Sequence, residues 1–230
     1  MKTDWAMNQT KVIIYGGNGF VGSHIAKSLV ERNASPVCIS RTGTRPRHLQ
    51  EQSWSENVKW CQGDASVPKA KSLASADTII CAVGSPPFPA FKQSSWDKQF
   101  FSNGTANIRA LDAAAEAGVK RAIVIGAQII TPLKTDSFAY YKGKRLTYEA
   151  AKRFAEYSEQ QTAAVFQPSI VIGTRYTQNG KAVPLNLLSP LSTLSKSIMV
   201  DVERLANRAA DAALNFSPPE NFEVFTNKEI

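Results

Sequence analysis

Two histidines and three cysteines in 230 residues leave little material for metal or thiol chemistry. Cys38, Cys61 and Cys81 lie within or at the ends of apolar runs, with no Cys-x-x-Cys or Cys/His spacing. Neither a zinc site nor a disulfide framework is expected, and a reducing compartment fits. His24 falls in a helix-like segment and His48 in an arginine-rich loop, so no metal site or catalytic triad is expected from either. No apolar run reaches the roughly 18 residues of a spanning helix. Residues 182–200 come nearest, with Lys196 as their single charge. Residues 1–10 carry Asp4 and lack both an apolar signal core and an arginine-rich amphipathic stretch, so they read as neither a secretory nor a transit peptide.

The charge is far from balanced: 27 Lys and Arg against 19 Asp and Glu give +8 and a pI near 9.4. Such an excess attracts polyanions in general. The basic residues are dispersed, however, and no nucleic-acid signature accompanies them, so no nucleic-acid partner is expected. With 43% hydrophobic and 20% charged residues, the length suits one globular domain with a sizeable core. We find no internal repeat and no clean linker, and treat residues 1–230 as one unit containing a short substrate or docking region at 174–230.

Short β-branched runs alternate with helical periodicity. Strands are expected at residues 11–15, 36–39, 58–61, 77–83, 122–125 and 163–167, the last leading into 168–173. Helices are expected at 20–33, 96–117 (closed by Gly118), 138–160 and 202–215, followed by a polar tail. Alternation at this spacing requires crossover connections and a parallel sheet with helices on both faces, a doubly wound α/β (Rossmann) fold.

The first strand runs into Gly16-Gly-Asn-Gly-Phe-Val-Gly22. Gly16, Gly19 and Gly22 fit one glycine pattern, and Gly17, Gly19 and Gly22 fit another, between strand and helix as a dinucleotide site requires. Glycine there allows a sharp turn, close approach of backbone N–H groups to a pyrophosphate, and close packing of helix on strand. Asn18, Phe20 and Val21 complete the turn. A glycine-rich turn that binds nothing is the plain alternative. At the end of the second strand, where an NAD site places an acid for the ribose 2′-hydroxyl, the chain has Ser40-Arg41. Arg41, with Arg45 and Arg47 nearby, favours a 2′-phosphate and hence NADP(H) over NAD(H); solvated loop arginines are the alternative. Asp64 and Ala65 follow the third strand, where Asp64 is placed either to accept from an adenine amino group or to cap a helix. Ala82, Val83 and Gly84 end the fourth strand, where the cofactor would pass.

These residues, together with Asn103-Gly-Thr-Ala-Asn107, Ala117-Gly-Val-Lys-Arg121, Tyr140 with Lys144, and Pro168-Ser-Ile-Val-Ile-Gly173, resemble the atypical or extended short-chain dehydrogenases/reductases of the NAD-dependent epimerase/dehydratase group. Residues 140–145 most resemble the branch with the NADPH-binding accessory subunit of complex I and the dehydrogenase-like protein of ubiquinone biosynthesis. The resemblance implies Tyr140 as proton donor and Lys144 as the residue that holds the nicotinamide ribose and lowers the tyrosine pKa. It also places Pro168 and Ile170 beside the cofactor. Positions i and i+4 share a helix face, which Tyr140 and Lys144 satisfy; Tyr141 and Arg145 form an equivalent pair one residue on, and an ordinary amphipathic helix start has the same look. The chain departs from the family after the fifth strand, where Ile125-Gly-Ala-Gln128 replaces the usual Ser or Thr. Gln128 or a folded-back Thr131 are the substitutes at hand. Losing such a donor typically costs about 3–4 kcal/mol of transition-state stabilisation.

Three functions are consistent with this sequence. The first is an NADP(H)-dependent oxidoreductase on a small carbonyl, sugar or quinone-type substrate, with a link to ubiquinone biosynthesis. The second is a catalytically weak NADPH-loaded protein whose surface near 182–200 docks a membrane-bound partner or the membrane itself, though a substrate lid would have the same composition. The third is an NADP(H) redox-sensing regulator. The expected location is cytoplasmic, with peripheral membrane attachment under the second function, or the mitochondrial matrix side for a trimmed eukaryotic protein.

Overall fold

The computed structural model describes residues 10–129, 131–177, 179–185, 199–218 and 220–230. In chain order the elements are β1 (Val12–Tyr15), α1 (Phe20–Glu31), β2 (Val37–Ser40), β3 (Lys59–Gln62), α2 (Ala70–Leu73), β4 (Thr78–Cys81), α3 (Gln93–Phe100) and α4 (Ala106–Glu116). They continue with β5 (Arg121–Ile125), α5 (Ala139–Glu156), β6 (Thr162–Gln167), β7 (Ile170–Ile172), β8 (Thr174–Tyr176), β9 (Ala182–Pro184), β10 (Met199–Asp201), α6 (Val202–Asn215) and β11 (Phe222–Thr226). Seven strands form one parallel sheet in the order β11-β6-β5-β4-β1-β2-β3. The chain winds outward from β1 to β3, then returns past β1 to wind the other way from β4. The order therefore reverses between β1 and β4, which opens a crevice at their carboxyl ends.

All four residues of β1, and all four of β4, are buried. That is why these strands read as unbroken apolar runs, as strands covered on both faces do. Successive side chains serve opposite cores. Ile14, Ile80 and Ile123 pack with Ile25 and Leu29 of α1 and Leu205 and Ala209 of α6. Ile13, Ile79 and Val124 pack with Leu111 of α4 and Phe154 of α5. Alanines at 206, 209, 210 and 213 bring α6 close to the sheet, and Ser28 to Asn207 (3.1 Å) and Arg32 to Asp211 (2.7 Å) tie α1 to α6.

Two features depart from the sequence expectation. The tail is not wholly polar structure without a strand: Phe222–Thr226 pairs in parallel with β6, and Phe225 stacks on Phe166 at 4.8 Å. The single helix expected at 96–117 starts earlier, at Gln93, and contains a π turn at Phe101–Thr105 between α3 and α4. It ends as expected: Gly118, at φ 74°, donates to Ala115 O, and Val119 donates to Ala114 O, the hydrogen-bond pattern of a glycine-terminated helix. Asp201 caps α6, its carboxylate accepting from the N–H groups of Glu203 and Arg204. Among the described residues no helix is long and apolar enough to cross a membrane. Most of the apolar 182–200 stretch, residues 186–198, lies outside the described residues. The ends that are described form β9, which is exposed and pairs with β8, and β10, which pairs with β7.

Candidate active site

The glycine turn crosses from β1 to α1 at the mouth of the crevice. Gly16 has φ 83°, and a Cβ on it would lie 2.8 Å from the Ala82 carbonyl and 2.9 Å from Val83 N, so Gly16 fits directly against the end of β4. A Cβ on Gly17 would overlap the Cys38 side chain at 2.3 Å, and one on Gly22 would overlap Gly16 O at 2.3 Å. Gly19 differs: it is exposed, and the nearest atom to its Cβ position is Gly16 O at 3.1 Å. Three of the glycines are thus required by the protein's own packing. The fourth leaves open a space that something else would fill. Gly19 is also the N-cap of α1, with no side-chain cap and no acid in the first turn, so the positive end of the helix is left for an anion. Asn18, Phe20 and Val21 flank this opening on the turn and the first helical residues.

Arg41 is exposed just past β2, and its carbonyl accepts from Gln62 Nε2 at 3.1 Å. Asp64 does not cap a helix: its Oδ1 accepts from the Ser66 N–H and hydroxyl, both at 2.8 Å, and closes a turn. The Ser66 N–H, the Ser66 hydroxyl and, more weakly, the Arg41 guanidinium hold its carboxyl below the usual range. Ala65 is buried beside it. Arg41 and Asp64 therefore lie close enough on neighbouring loops to feel each other's charge.

On the far side of the crevice, α5 crosses the π turn with almost no separation. A Cβ on Gly143 would lie 2.8 Å from Asn103 C, and one on Gly104 2.9 Å from Gly143 Cα. This contact sets the next residue, Lys144, against the ends of β4 and β5. Its Nζ donates to Ile125 O at 2.7 Å, and it lies 3.7 Å from the Cβ position of Gly84. Tyr140 is one turn earlier on the same face, its ring centroid 5.9 Å from Lys144 Nζ. Burial lowers the Lys144 ammonium to about 8, opposed in part by the neighbouring Cys81. Burial also raises the Tyr140 phenol to about 12, opposite to the lowering by Lys144 that the family resemblance implied. The alternative pair is not equivalent, because Arg145 turns away to a bidentate contact with Asp136.

Asn103 and Asn107 are functional-site residues to which no local sequence pattern assigns a role. Both reach back from the π turn and α4 to the end of β4. Asn107 Nδ2 donates to Val83 O at 2.9 Å and Asn103 Nδ2 to Ser85 Oγ at 2.9 Å, while Ser85 N donates to Asn103 Oδ1 at 3.3 Å. Ser102 Oγ lies 3.5 Å from Ser85 Oγ but gives its one proton to Lys98 O at 2.6 Å. Their signal was present as two asparagines four residues apart, and the wider π turn is what lets both face one loop. The substitutes considered after β5 are placed otherwise. Gln128 Oε1 accepts from Ser169 at 3.0 Å, and Thr131 is exposed in a 3-10 turn. Pro168 is buried and its carbonyl accepts from Gln128 N at 2.9 Å; Ile170 is exposed at the start of β7. Among the described residues no cluster of His, Cys, Asp or Glu is arranged to hold a metal.

Comparison with known proteins agrees with this fold. An uncharacterized chloroplastic protein of Arabidopsis thaliana is 31% identical over 216 residues, covering 93% of this chain and 68% of that protein. Among solved structures, Bordetella bronchiseptica WbmH in complex with NAD+ superposes with a TM-score of 0.65 at 18% identity, over 94% of this chain and 75% of that one. An alcohol dehydrogenase from Thermococcus sibiricus complexed with 5-hydroxy-NADP gives 0.67 at 16% identity, over 95% of each chain. At these identities the structures show a shared fold. A family model described as NAD(P)H-binding matches residues 16–181, from the glycine turn through α5 to the hairpin of β8 and β9, and the chain belongs to that NAD(P)H-binding family.

Proposed function

We propose that the protein is an NADP(H)-dependent oxidoreductase acting on a small carbonyl or quinone-type substrate. The observation that carries this reading is the placement of Tyr140 and Lys144 on one face of α5, with the ammonium between Ile125 O and Gly84. The open space at Gly19 and the uncapped start of α1 fit a pyrophosphate. Gly16, Gly17, Asn18, Phe20, Val21 and Gly22 would shape that cradle. Arg41 would pair with a 2′-phosphate, Asp64 and Ala65 would border the adenine, and Ala82, Val83, Gly84, Pro168 and Ile170 would line the course towards the nicotinamide. When bound, the cofactor supplies the hydride.

The remaining chemistry belongs to this chain. Tyr140, held protonated by burial, gives a proton to the carbonyl oxygen of the substrate. Lys144 positions the phenol and the ribose and, when charged, stabilises negative charge developing at that oxygen. The Ser85 hydroxyl, fixed by Asn103, supplies the second donor in place of the Ser or Thr missing after Ile125. In assays following absorbance of the reduced nicotinamide with short ketones and quinones, Tyr140→Phe is expected to abolish turnover while leaving NADPH affinity unchanged. Turnover that survives Tyr140→Phe removes the assigned proton donor.

A second reading keeps the cofactor and drops the reaction, making the protein an NADPH-loaded docking or redox-sensing component. It is favoured by the absent hydroxyl at residues 125–128. Tight NADPH binding with no oxidation by any carbonyl or quinone acceptor would move the conclusion there. A link to ubiquinone, a membrane-associated partner and a cytoplasmic or organellar location belong with these proposals. The chloroplastic relative makes an organelle the first location to test.

A further inference from the structure

The connection that leaves the end of β4 runs through Pro86-Pro-Phe-Pro-Ala-Phe91 before α3 begins. Proline at 86, 87 and 89 fixes φ along it, and the side-chain amide of Gln99, itself buried, donates to Pro86 O at 3.0 Å and to Phe88 O at 2.8 Å. The loop is thus pinned to α3 through its backbone, and its two phenylalanines are left outside. Phe91 is 96% exposed and Phe88 71%, and Phe91 is the most exposed large apolar side chain among the described residues. Single exposed apolar residues are ordinary. Two phenylalanines three positions apart on a pinned loop present roughly 250–400 Å² of apolar surface together, and patches of that size mark contact sites.

The surroundings are basic. Lys92 adjoins Phe91 in sequence, and Lys98 adjoins the Gln99 that holds the loop. Further along α3, Trp96 Nε1 donates to Ser137 O at 2.8 Å, and the Lys142 ammonium lies 5.4 Å and 5.5 Å from the ring centroids of Trp96 and Phe100. Residues 86–102 and 131–142 carry Lys92, Lys98, Lys134 and Lys142 against Asp97 and Asp136, and Arg145 already takes up Asp136 at 2.8 Å. Among the described residues none of these lysines is in an ion pair. A ring that is 96% exposed has no wall of protein around it, so the patch projects and is not a small-molecule pocket. A specific protein partner needs about 800 Å² on each side, at least about twice what the phenylalanines offer. Projecting aromatics flanked by lysines do suffice for reversible attachment to an anionic bilayer, where the rings enter the headgroup boundary and the ammonium groups stay with the lipid phosphates.

We propose that the loop at residues 86–91 docks the protein on an anionic bilayer, with Phe88 and Phe91 inserted at headgroup level and the neighbouring lysines on the lipid phosphates. This surface is distinct from residues 182–200. Ser85 immediately precedes the loop, so docking brings the mouth of the crevice to the bilayer. Access of a lipid-dissolved quinone-type substrate by that route rests on the oxidoreductase reading, whereas the docking itself does not.

Flotation of the full chain with vesicles of equal parts phosphatidylglycerol and phosphatidylcholine, in the absence of cofactor, tests the docking. Wild type should float with these vesicles and far less with phosphatidylcholine alone. A chain of charge +8 is drawn to any anionic surface, so the deciding variant leaves the charge untouched. Phe88→Ser combined with Phe91→Ser should weaken vesicle binding by roughly tenfold or more, with the circular dichroism spectrum unchanged. Val67→Ser, at a similarly exposed apolar position beyond β3, should bind as wild type does. Lys92→Gln and Lys98→Gln should each weaken binding by roughly fivefold. Absence of vesicle binding by wild type overturns the proposal, as does binding that the double phenylalanine variant retains in full. Self-association of wild type on size-exclusion chromatography that the double variant abolishes would assign the phenylalanines to a second copy of the chain and also overturn it. NADPH titration of the same samples reads the cofactor site separately, so loss of docking with intact NADPH binding sinks this proposal and leaves the oxidoreductase reading standing.

Discussion

The four glycines of the β1–α1 turn should separate into two classes on substitution, because only one of them faces away from the protein. Gly22→Ala puts a methyl 2.3 Å from Gly16 O and 3.0 Å from Gly17 Cα. Both are backbone atoms that cannot move without displacing α1 from β1. Overpacking of this kind costs about 1–3 kcal/mol, and at about 2–4 °C per kcal/mol for a chain of this size the Tm should fall by roughly 2–12 °C. Gly19→Ala adds the same methyl at φ −82° and ψ 175°, an ordinary extended conformation, with nothing nearer than 3.1 Å. Alanine is a poorer N-cap than glycine by roughly 0.5–1 kcal/mol, and the loss of unfolded-state freedom returns about 0.4–1 kcal/mol, so the Tm should hold within about 4 °C. Its effect should appear on the ligand. A methyl between the helix start and a phosphate forfeits at least one charge-assisted hydrogen bond, about 1.5–3 kcal/mol, or roughly ten- to a hundredfold in the Kd for NADPH. Differential scanning fluorimetry and fluorescence titration measure the two quantities on the same samples. Wild-type affinity in Gly19→Ala would refute the placement of the pyrophosphate, and an equal loss of stability in both variants would refute the distinction between them.

Lys144 predicts a pH signature. Its ammonium is lowered by burial from 10.5 to about 8, so between those values the folded chain binds fewer protons at this site than the unfolded chain. The cost of burying the charged form is present in full below pH 8 and is lost towards 10.5. The Tm of wild type relative to Lys144→Met should therefore rise across that window, while NADPH affinity falls as the charge is lost; a relative Tm that falls there contradicts the burial argument. Arg41→Ala should weaken NADPH by about 1–2 kcal/mol, five- to thirtyfold, and leave NADH unchanged, as titration with each cofactor will show. Ser85→Ala should lower kcat by roughly a hundredfold with little change in NADPH Kd; an unchanged kcat would exclude Ser85 as the second donor.

Much of this architecture was legible because the parallel strands are buried on both faces. Val12 to Tyr15 and Thr78 to Cys81 read as apolar runs for that reason, and the helix at Val202–Asn215 was legible from its periodicity. The edge strand β11 was missed because Phe222-Glu-Val-Phe-Thr226 is short, lies between polar segments and acquires its meaning only from pairing with β6. The π turn was missed because one extra residue per turn leaves apolar periodicity nearly unchanged while altering which side chains face β4. Asn103, Asn107 and Ser85 followed from that omission: their partners are backbone atoms and hydroxyls 18 to 24 residues away in sequence, beyond any local pattern. Gly143 reads as an ordinary helix weakness in sequence. In the fold it is the contact that lets α5 bring Lys144 to the crevice.

The most direct test of the account is a fluorescence titration of the purified full chain with NADPH and with NADH. The account predicts saturable one-to-one binding, tighter for NADPH, that raises the Tm as ligand concentration rises. Absence of saturable binding by either cofactor, in a protein whose circular dichroism shows it folded, would contradict the assignment of the Gly16–Gly22 turn and everything built on it.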